Sequence, residues 1–312
     1  MKLGAVLLEV VRNDFVESVH AGHLIAIDKS GTSILEIGDL DAPIFPRSAV
    51  KGLQAAAMLR SGLRVTPQQL ALICASHAGS PEHLATAKSI LTAAGVDESA
   101  LMNTPDRPLD TAERFAWGDK APSSLAANCS GKHAGMVATC VVNNWDLSSY
   151  LHPDHPLQRG IRDEFETLSG EKVGVVGVDG CGAPLFALSL RGLLRAITKL
   201  VDSEDPIHRE VFNACRSHPH LVSGTGRLPT TLMSKVDRLF VKDGAEGVFV
   251  IAQRDGGAIA WKMSDGSQRG AATLAVASLS RIGIELELPA ESVLGGGRVV
   301  GEIRASRILR NE

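Results

Sequence analysis

The chain has 312 residues, 32 Lys and Arg against 35 Asp and Glu, and a formal charge of −3 at pH 7. That balance disfavours a nucleic-acid partner, which calls for a basic excess. Its 44% apolar and 21% charged residues suit a packed core and exclude disorder. No apolar run reaches the roughly 18 residues needed to span a bilayer. The start, MKLGAVLLEVV, lacks a small-residue cleavage site and alternates too early for a signal peptide. Five scattered Cys make a disulfide framework unexpected and suit a reducing cytoplasm.

The first 45 residues read as strands. Ala5–Val11, Glu17–Asp28 and Ser33–Ile37 are β-rich, with turn signals at Asn13-Asp14 and Lys29-Ser30-Gly31. Pro43 and Pro46 bracket a loop, after which the period becomes helical up to Ser61-Gly62. Thr66-Pro67 and Ser80-Pro81 are helix starts, each a cap followed by proline. Asn103–Pro122 reads as irregular, and Gly131–Asn143 as a buried helix of small residues. Pro156–Leu168 is a helix stopped at Gly170, and Val173–Val178 is a strand. Leu185–Leu200 and Pro206–Ser217 read as helices. Arg238–Val241, Gly247–Ala252 and Ala258–Met263 are strands, and Gly270–Ile282 is the last helix. Strands, then helices, then strands predict an α+β fold with an antiparallel sheet. The expected organisation is one unit of two intertwined lobes. Residues 1–45 and 236–312 form the sheet lobe, and 46–235 the helical lobe.

Ser48 opens the first helix, with Lys51 three residues later on the same face. A Ser hydroxyl needs a proton acceptor to become a nucleophile, and a Lys accepts only when its pKa is depressed. The helix start also offers free N–H groups for an oxyanion. The spacing alone is weak. It recurs at Ser169 and Lys172, where Gly170 breaks the helix. In Cys74-Ala-Ser76-His77-Ala-Gly79-Ser80, Ser80 is placed as a helix cap and also as a second hydroxyl for a site. His77 would suit a Ser-His-Asp triad, but nothing fixes its partner. Cys129 and Cys181 sit in glycine-flanked polar loops and could offer thiolates to zinc. General chemistry would add His133, and a neutral Lys132 less readily. A reactive Cys129 near a helix start is the rival reading. Cys74, Cys140 and Cys215 read as buried small hydrophobes.

Strands, a proline loop and Ser-x-x-Lys opening an Ala-rich helix resemble the serine β-lactamase, penicillin-binding protein and glutaminase superfamily. Lys242-Asp243-Gly244 resembles its Lys-Thr-Gly strand. Six segments, PRSAVKGLQ, ASHAGSPEH, NCSGKHAGM, VDGCGAP, SGTGR and KDGAEGV, resemble in order the asparaginase II family, the rhizobial-type L-asparaginases.

The resemblance implies hydrolysis of L-asparagine to L-aspartate and ammonia through an acyl-enzyme, a homodimer, and a zinc ion beside the site. Ser48 matches the nucleophile and Lys51 its base. Ser80 matches a second serine, paired with a late-strand lysine placed at Lys242, with Lys262 the alternative. Cys129, Lys132 and Cys181 match the zinc ligands. Arg47 and Arg227 are candidates for the substrate carboxylate, and Asp179 for its ammonium. Two other classes stay open: another acyl transfer on this fold, such as a glutaminase or a penicillin-recognising enzyme, and a non-catalytic zinc-dependent amino-acid-binding protein. The missing signal peptide and Ser-Asp-Asn segment argue against the penicillin-type function.

Overall fold

The computed structural model describes residues 3–310; residues 1, 2, 311 and 312, at the outer ends of the expected sheet lobe, lie outside the described residues. The chain opens with β1 (Ala5–Arg12), β2 (Phe15–Ile27) and β3 (Ser33–Ile37), as the alternation predicts. The proline loop holds a two-residue strand, β4 (Pro43–Ile44), and then a 3-10 turn over Arg47–Val50. That turn runs into α1 (Lys51–Arg60), in which every residue from Lys51 to Leu59 is buried. A helix buried on all sides belongs at the centre of a core, and α1 packs among the helices that follow it.

α2 (Pro67–Ile73) and α3 (Pro81–Ala93) start as expected, each with a complete capping box, on Thr66 and on Ser80. The stretch read as irregular contains a short helix, α4 (Thr111–Trp117), none of whose residues is buried. α5 (Ser130–Val142) is buried from Ser130 to Cys140. Its small residues permit close contact with α2: a Cβ on Gly131 would stand 2.4 Å from the Leu72 carbonyl oxygen. α6 (Pro156–Ser169) ends on Gly170 at φ +68°.

Three expectations fail in the second half. The strand foreseen at 173–178 is only β5 (Val176–Val178). The helix foreseen from Leu185 starts later, because β6 (Pro184–Phe186) and β7 (Leu188–Ser189) take its first residues. α7 (Leu190–Asp202) begins where the Ser189 hydroxyl caps the Gly192 N–H. Then come α8 (Pro206–Ser217), α9 (Pro219–Val222) and α10 (Leu228–Lys235). β8 (Leu239–Gly244), β9 (Val248–Gln253) and β10 (Ala258–Met263) follow. α11 (Ala271–Arg281) is not the last element: β11 (Ser292–Gly295), β12 (Arg298–Ala305) and α12 (Arg307–Arg310) come after it.

The main sheet runs β11-β12-β1-β2-β10-β9-β8, with β3 also paired to β2, and every pairing is antiparallel. Strands from early and late in the chain therefore build one sheet, and the helices come chiefly from between them, which is the α+β architecture expected. α7 lays Leu190, Leu193, Leu194, Ile197 and Val201 inward and packs on β9 and β10. One continuous apolar core runs from the sheet through α1 to the outer helices. No helix among the described residues is long and apolar enough to cross a membrane.

Candidate active site

Ser48 lies in the 3-10 turn between strand β4 and helix α1, where sheet and helices meet. The residue before it, Arg47, has φ +52°. A non-glycine residue in this region costs of order 1–3 kcal/mol and persists only where its surroundings enforce it. The enforcing contact is the end of β8: a Cβ on Gly244 would stand 2.6 Å from the Pro46 carbonyl oxygen and 3.3 Å from the Ser48 nitrogen. Glycine is required there for the strand to reach the turn. Ser48 and Ala245, the residue after Gly244, both line a cleft of about 250 Å3, together with Asn128, Cys129, Asp179 and Cys181.

Lys51 is 2% exposed. Its Nζ donates to the Ala75 carbonyl at 2.5 Å and to Ser76 Oγ at 3.3 Å. Burial pushes its pKa down to about 8; Cys129 opposes the shift, and Lys242 and Lys132 add to it. Lys242, fully buried, also donates to Ser76 Oγ, at 3.0 Å. Its other acceptors are the Asp243 carbonyl at 2.7 Å and Asp243 Oδ1 at 2.5 Å. Asp243 Oδ2 accepts from Arg227 Nη2 at 3.0 Å. Burial lowers the Lys242 pKa, against the pull of Asp243. Burial would raise that of Asp243, but Lys242 and Arg227 outweigh it and the carboxylate stays below its ordinary value.

The second serine of this network is therefore Ser76, not Ser80. Ser80 accepts from the His83 N–H as the cap of α3 and lies 2.7 Å from His83 Nδ1. Its hydroxyl serves its own helix. Ser76 follows the end of α2, where the chain runs out of helix and is tied by Ser76 N–H to the Val222 carbonyl and His77 N–H to the Asn128 carbonyl. That passage carries the Ser76 hydroxyl between the two lysines. Lys262 is not its partner, since Lys262 Nζ donates to the Glu246 and Met263 carbonyls.

No triad forms on His77. Its Nε2 meets Ser130 Oγ at 2.8 Å, its Nδ1 is buried without a partner, and burial holds its pKa well below 6.5. Arg47 and Asp179 both line the cleft and pair with each other, Nε to Oδ1 at 2.9 Å. Arg227 is not among the cleft-lining residues and is engaged by Asp243 instead.

All five cysteines are free and buried. Cys129, at the start of α5, and Cys181, in the loop between β5 and β6, come together with His133, their ligand atoms all within 4.8 Å of one another. Lys132 Nζ donates to Cys181 Sγ at 3.2 Å. The Cys129 thiol and Lys132 favour the Cys181 thiolate and lower its pKa. Burial would lower the Lys132 pKa, but Cys181, Cys129 and Asp179 outweigh it and raise it. His133 bonds the Tyr150 hydroxyl through Nδ1 at 2.9 Å, and its other nitrogen, Nε2, is buried on the side of the cysteine pair, where Cys181 is its neighbour. Two sulfurs and a neutral imidazole nitrogen are a donor set that zinc accepts.

The profile of the L-asparaginase II family matches residues 8–305. No curated protein matches the chain. Similar solved structures include Mglu, at 12% identity and TM-score 0.45 over 84% of this chain and 67% of that one. They also include the class A β-lactamase from Mycobacterium abscessus, at 13% identity and TM-score 0.40 over 84% of this chain and 92% of that one.

Proposed function

Because the chain belongs to the L-asparaginase II family, we propose that it hydrolyses the side-chain amide of L-asparagine through an acyl-enzyme on Ser48. The observation that carries this reading is one hydroxyl, Ser76 Oγ, within hydrogen-bond distance of two buried lysines, one of them a single turn after Ser48. Ser48 Oγ bonds to the amide carbon as the neutral amine of Lys51 takes its proton. The carbon–nitrogen bond breaks as the leaving nitrogen takes the Ser76 hydroxyl proton, and Lys242 refills Ser76. Protonated Lys51 then returns a proton through Ser76 to Lys242. Water attacks the ester and gives its proton to Lys51. The ester C–O bond breaks, and Ser48 recovers its proton from Lys51. The Ser48 and Ala245 N–H groups, beside the cleft, are the donors offered to the oxyanion. Arg47 and Asp179 are the charges offered to the substrate's carboxylate and ammonium.

Zinc fits the sulfur-rich group. Cys129 and Cys181 would hold it, with Lys132 as the nitrogen ligand the family resemblance implies and His133 the other nitrogen within reach. A bound zinc, its charge balanced by the two thiolates, would supply a Lewis-acidic centre beside the cleft. The test is ammonia release from L-asparagine, with L-glutamine and Ser48→Ala in parallel. Release from asparagine that is lost in a folded Ser48→Ala protein supports the reading. Undiminished release by that variant removes Ser48 as nucleophile.

A further inference from the structure

Lys51 and Lys242 lie within 3.3 and 3.0 Å of the same Ser76 oxygen, yet their other partners differ in kind. Lys51 has only an uncharged carbonyl, that of Ala75. Lys242 has a carboxylate, that of Asp243, at 2.5 Å. The carboxylate is itself fixed from its far oxygen by Arg227, and only 17% of its side chain is exposed. From these contacts we infer that Asp243 is a positioning residue that assigns the proton of the lysine pair: it holds Lys242 as the ammonium and leaves Lys51 as the base. The inference rests on the asparaginase reading for what the base acts upon, but not for where the proton sits.

Hydrogen-bond arithmetic supports it. An ammonium has three donors and no acceptor. Lys242 Nζ has three partners in range: Ser76 Oγ, the Asp243 carbonyl and Asp243 Oδ1. When Lys242 has given a proton to Ser76, two N–H groups remain for the Asp243 oxygens, and the lone pair accepts from the Ser76 hydroxyl. Both states are satisfied without movement of any heavy atom. The carboxylate also favours recovery of the charged state, so the proton left on Lys51 after acylation is drawn back through Ser76 to Lys242. Without that return Lys51 would remain protonated and could not take the proton of the attacking water. The charged and titratable groups acting on Lys242 are Asp243 on its own strand, Arg227 before α10, Cys215 on α8, and Lys51 across Ser76.

Asp243→Asn keeps the shape, removes the charge and turns one of the two acceptors, facing Lys242 or Arg227, into a donor. The expected result is a fall in kcat of about 10-fold or more, with KM within about threefold, unchanged thermal stability to a few degrees, and partial recovery in Asp243→Glu. A purely structural Asp243 would not give that division between kcat and KM. Turnover within about twofold of wild type overturns the inference. So does a loss confined to KM, which would make Asp243 and Arg227 substrate-binding groups. A second readout needs no turnover. In protein labelled with 13C and 15N at lysine, the Lys242 side-chain signal is identified by its loss in Lys242→Gln and followed from pH 6 to pH 10. The ammonium should persist to higher pH in the wild type than in Asp243→Asn; identical titrations overturn the inference. If the wild type releases no ammonia from either amide, the proposed reaction fails, and the lysine titration still decides the role of Asp243.

Discussion

Ser76→Ala and Ser80→Ala, compared directly, separate the two serines of one short segment. Ser76→Ala deletes the hydroxyl between Lys51 and Lys242. The Ser76 N–H bond to Val222 remains, Lys51 keeps Ala75, and Lys242 keeps both Asp243 oxygens. Two side-chain hydrogen bonds are lost, at about 0.5–1.5 kcal/mol each. For a chain of this size that lowers Tm by only several degrees, and the protein should fold. The catalytic cost is larger. A positioned proton-transfer group is worth about 100- to 10,000-fold in rate, so kcat for asparagine should fall by about that factor. Ser80→Ala removes a helix cap and should cost about 1 kcal/mol of stability, while kcat stays within about threefold. Coupled ammonia release and thermal melts on both variants give the comparison. Loss of turnover in Ser80→Ala with retention in Ser76→Ala would refute the assignment of Ser76 as the relay.

Lys51, held at about pH 8, must be neutral to act as base. Its neutral fraction rises about tenfold between pH 7 and pH 9, so kcat/KM should climb by about that factor, and a flat profile would exclude Lys51 as the base. Cys129→Ala removes one sulfur of the proposed zinc group; metal content measured by atomic emission should fall below half and KM should rise more than kcat falls, whereas full metal content would refute the site. Glu164 is buried against His208 Nε2 at 2.6 Å and Arg60 at 3.0 Å. Burial would raise its pKa, but His208 and Arg60 prevail and lower it below 4.5. Its stabilisation is present above that value and is lost as the pH falls through the folded-state pKa. Glu164→Gln should cost about 1–3 kcal/mol at pH 7 and flatten the decline of Tm in acid; parallel declines in both proteins would show that Glu164 carries none of it.

Features governed by neighbours in sequence are the ones the sequence discloses. Thr66-Pro67 and Ser80-Pro81 cap helices through contacts three residues away, and Gly170 ends α6 through its own φ. The same locality governs Ser80, expected both as a helix cap and as a hydroxyl of the site. Its hydroxyl is consumed by its own helix, and nothing in the segment says so more plainly than the cap motif. Ser76 has no such local use, and that was the available signal. Its partner Lys242 lies 166 positions away, so the pairing belongs to the fold. β12 was invisible for a related reason. Much of RVVGEIRA is only half-buried or exposed, and its pairing partner β1 stands at the other end of the chain. The apolar run 184–194 carries no period that separates β6 and β7 from α7. Asp243 stands in sequence only as the middle residue of the Lys-Asp-Gly strand segment, and the approach of Arg227 makes it a buried counter-ion.

The most direct test of the central claim is to trap the acyl-enzyme. Protein mixed with L-asparagine and quenched in acid within the first turnovers would be weighed intact and then mapped by peptide. The account predicts a mass increase of one aspartyl group on the peptide containing Ser48, absent in Ser48→Ala. An adduct on Ser76, Ser80 or Cys129 instead would contradict it.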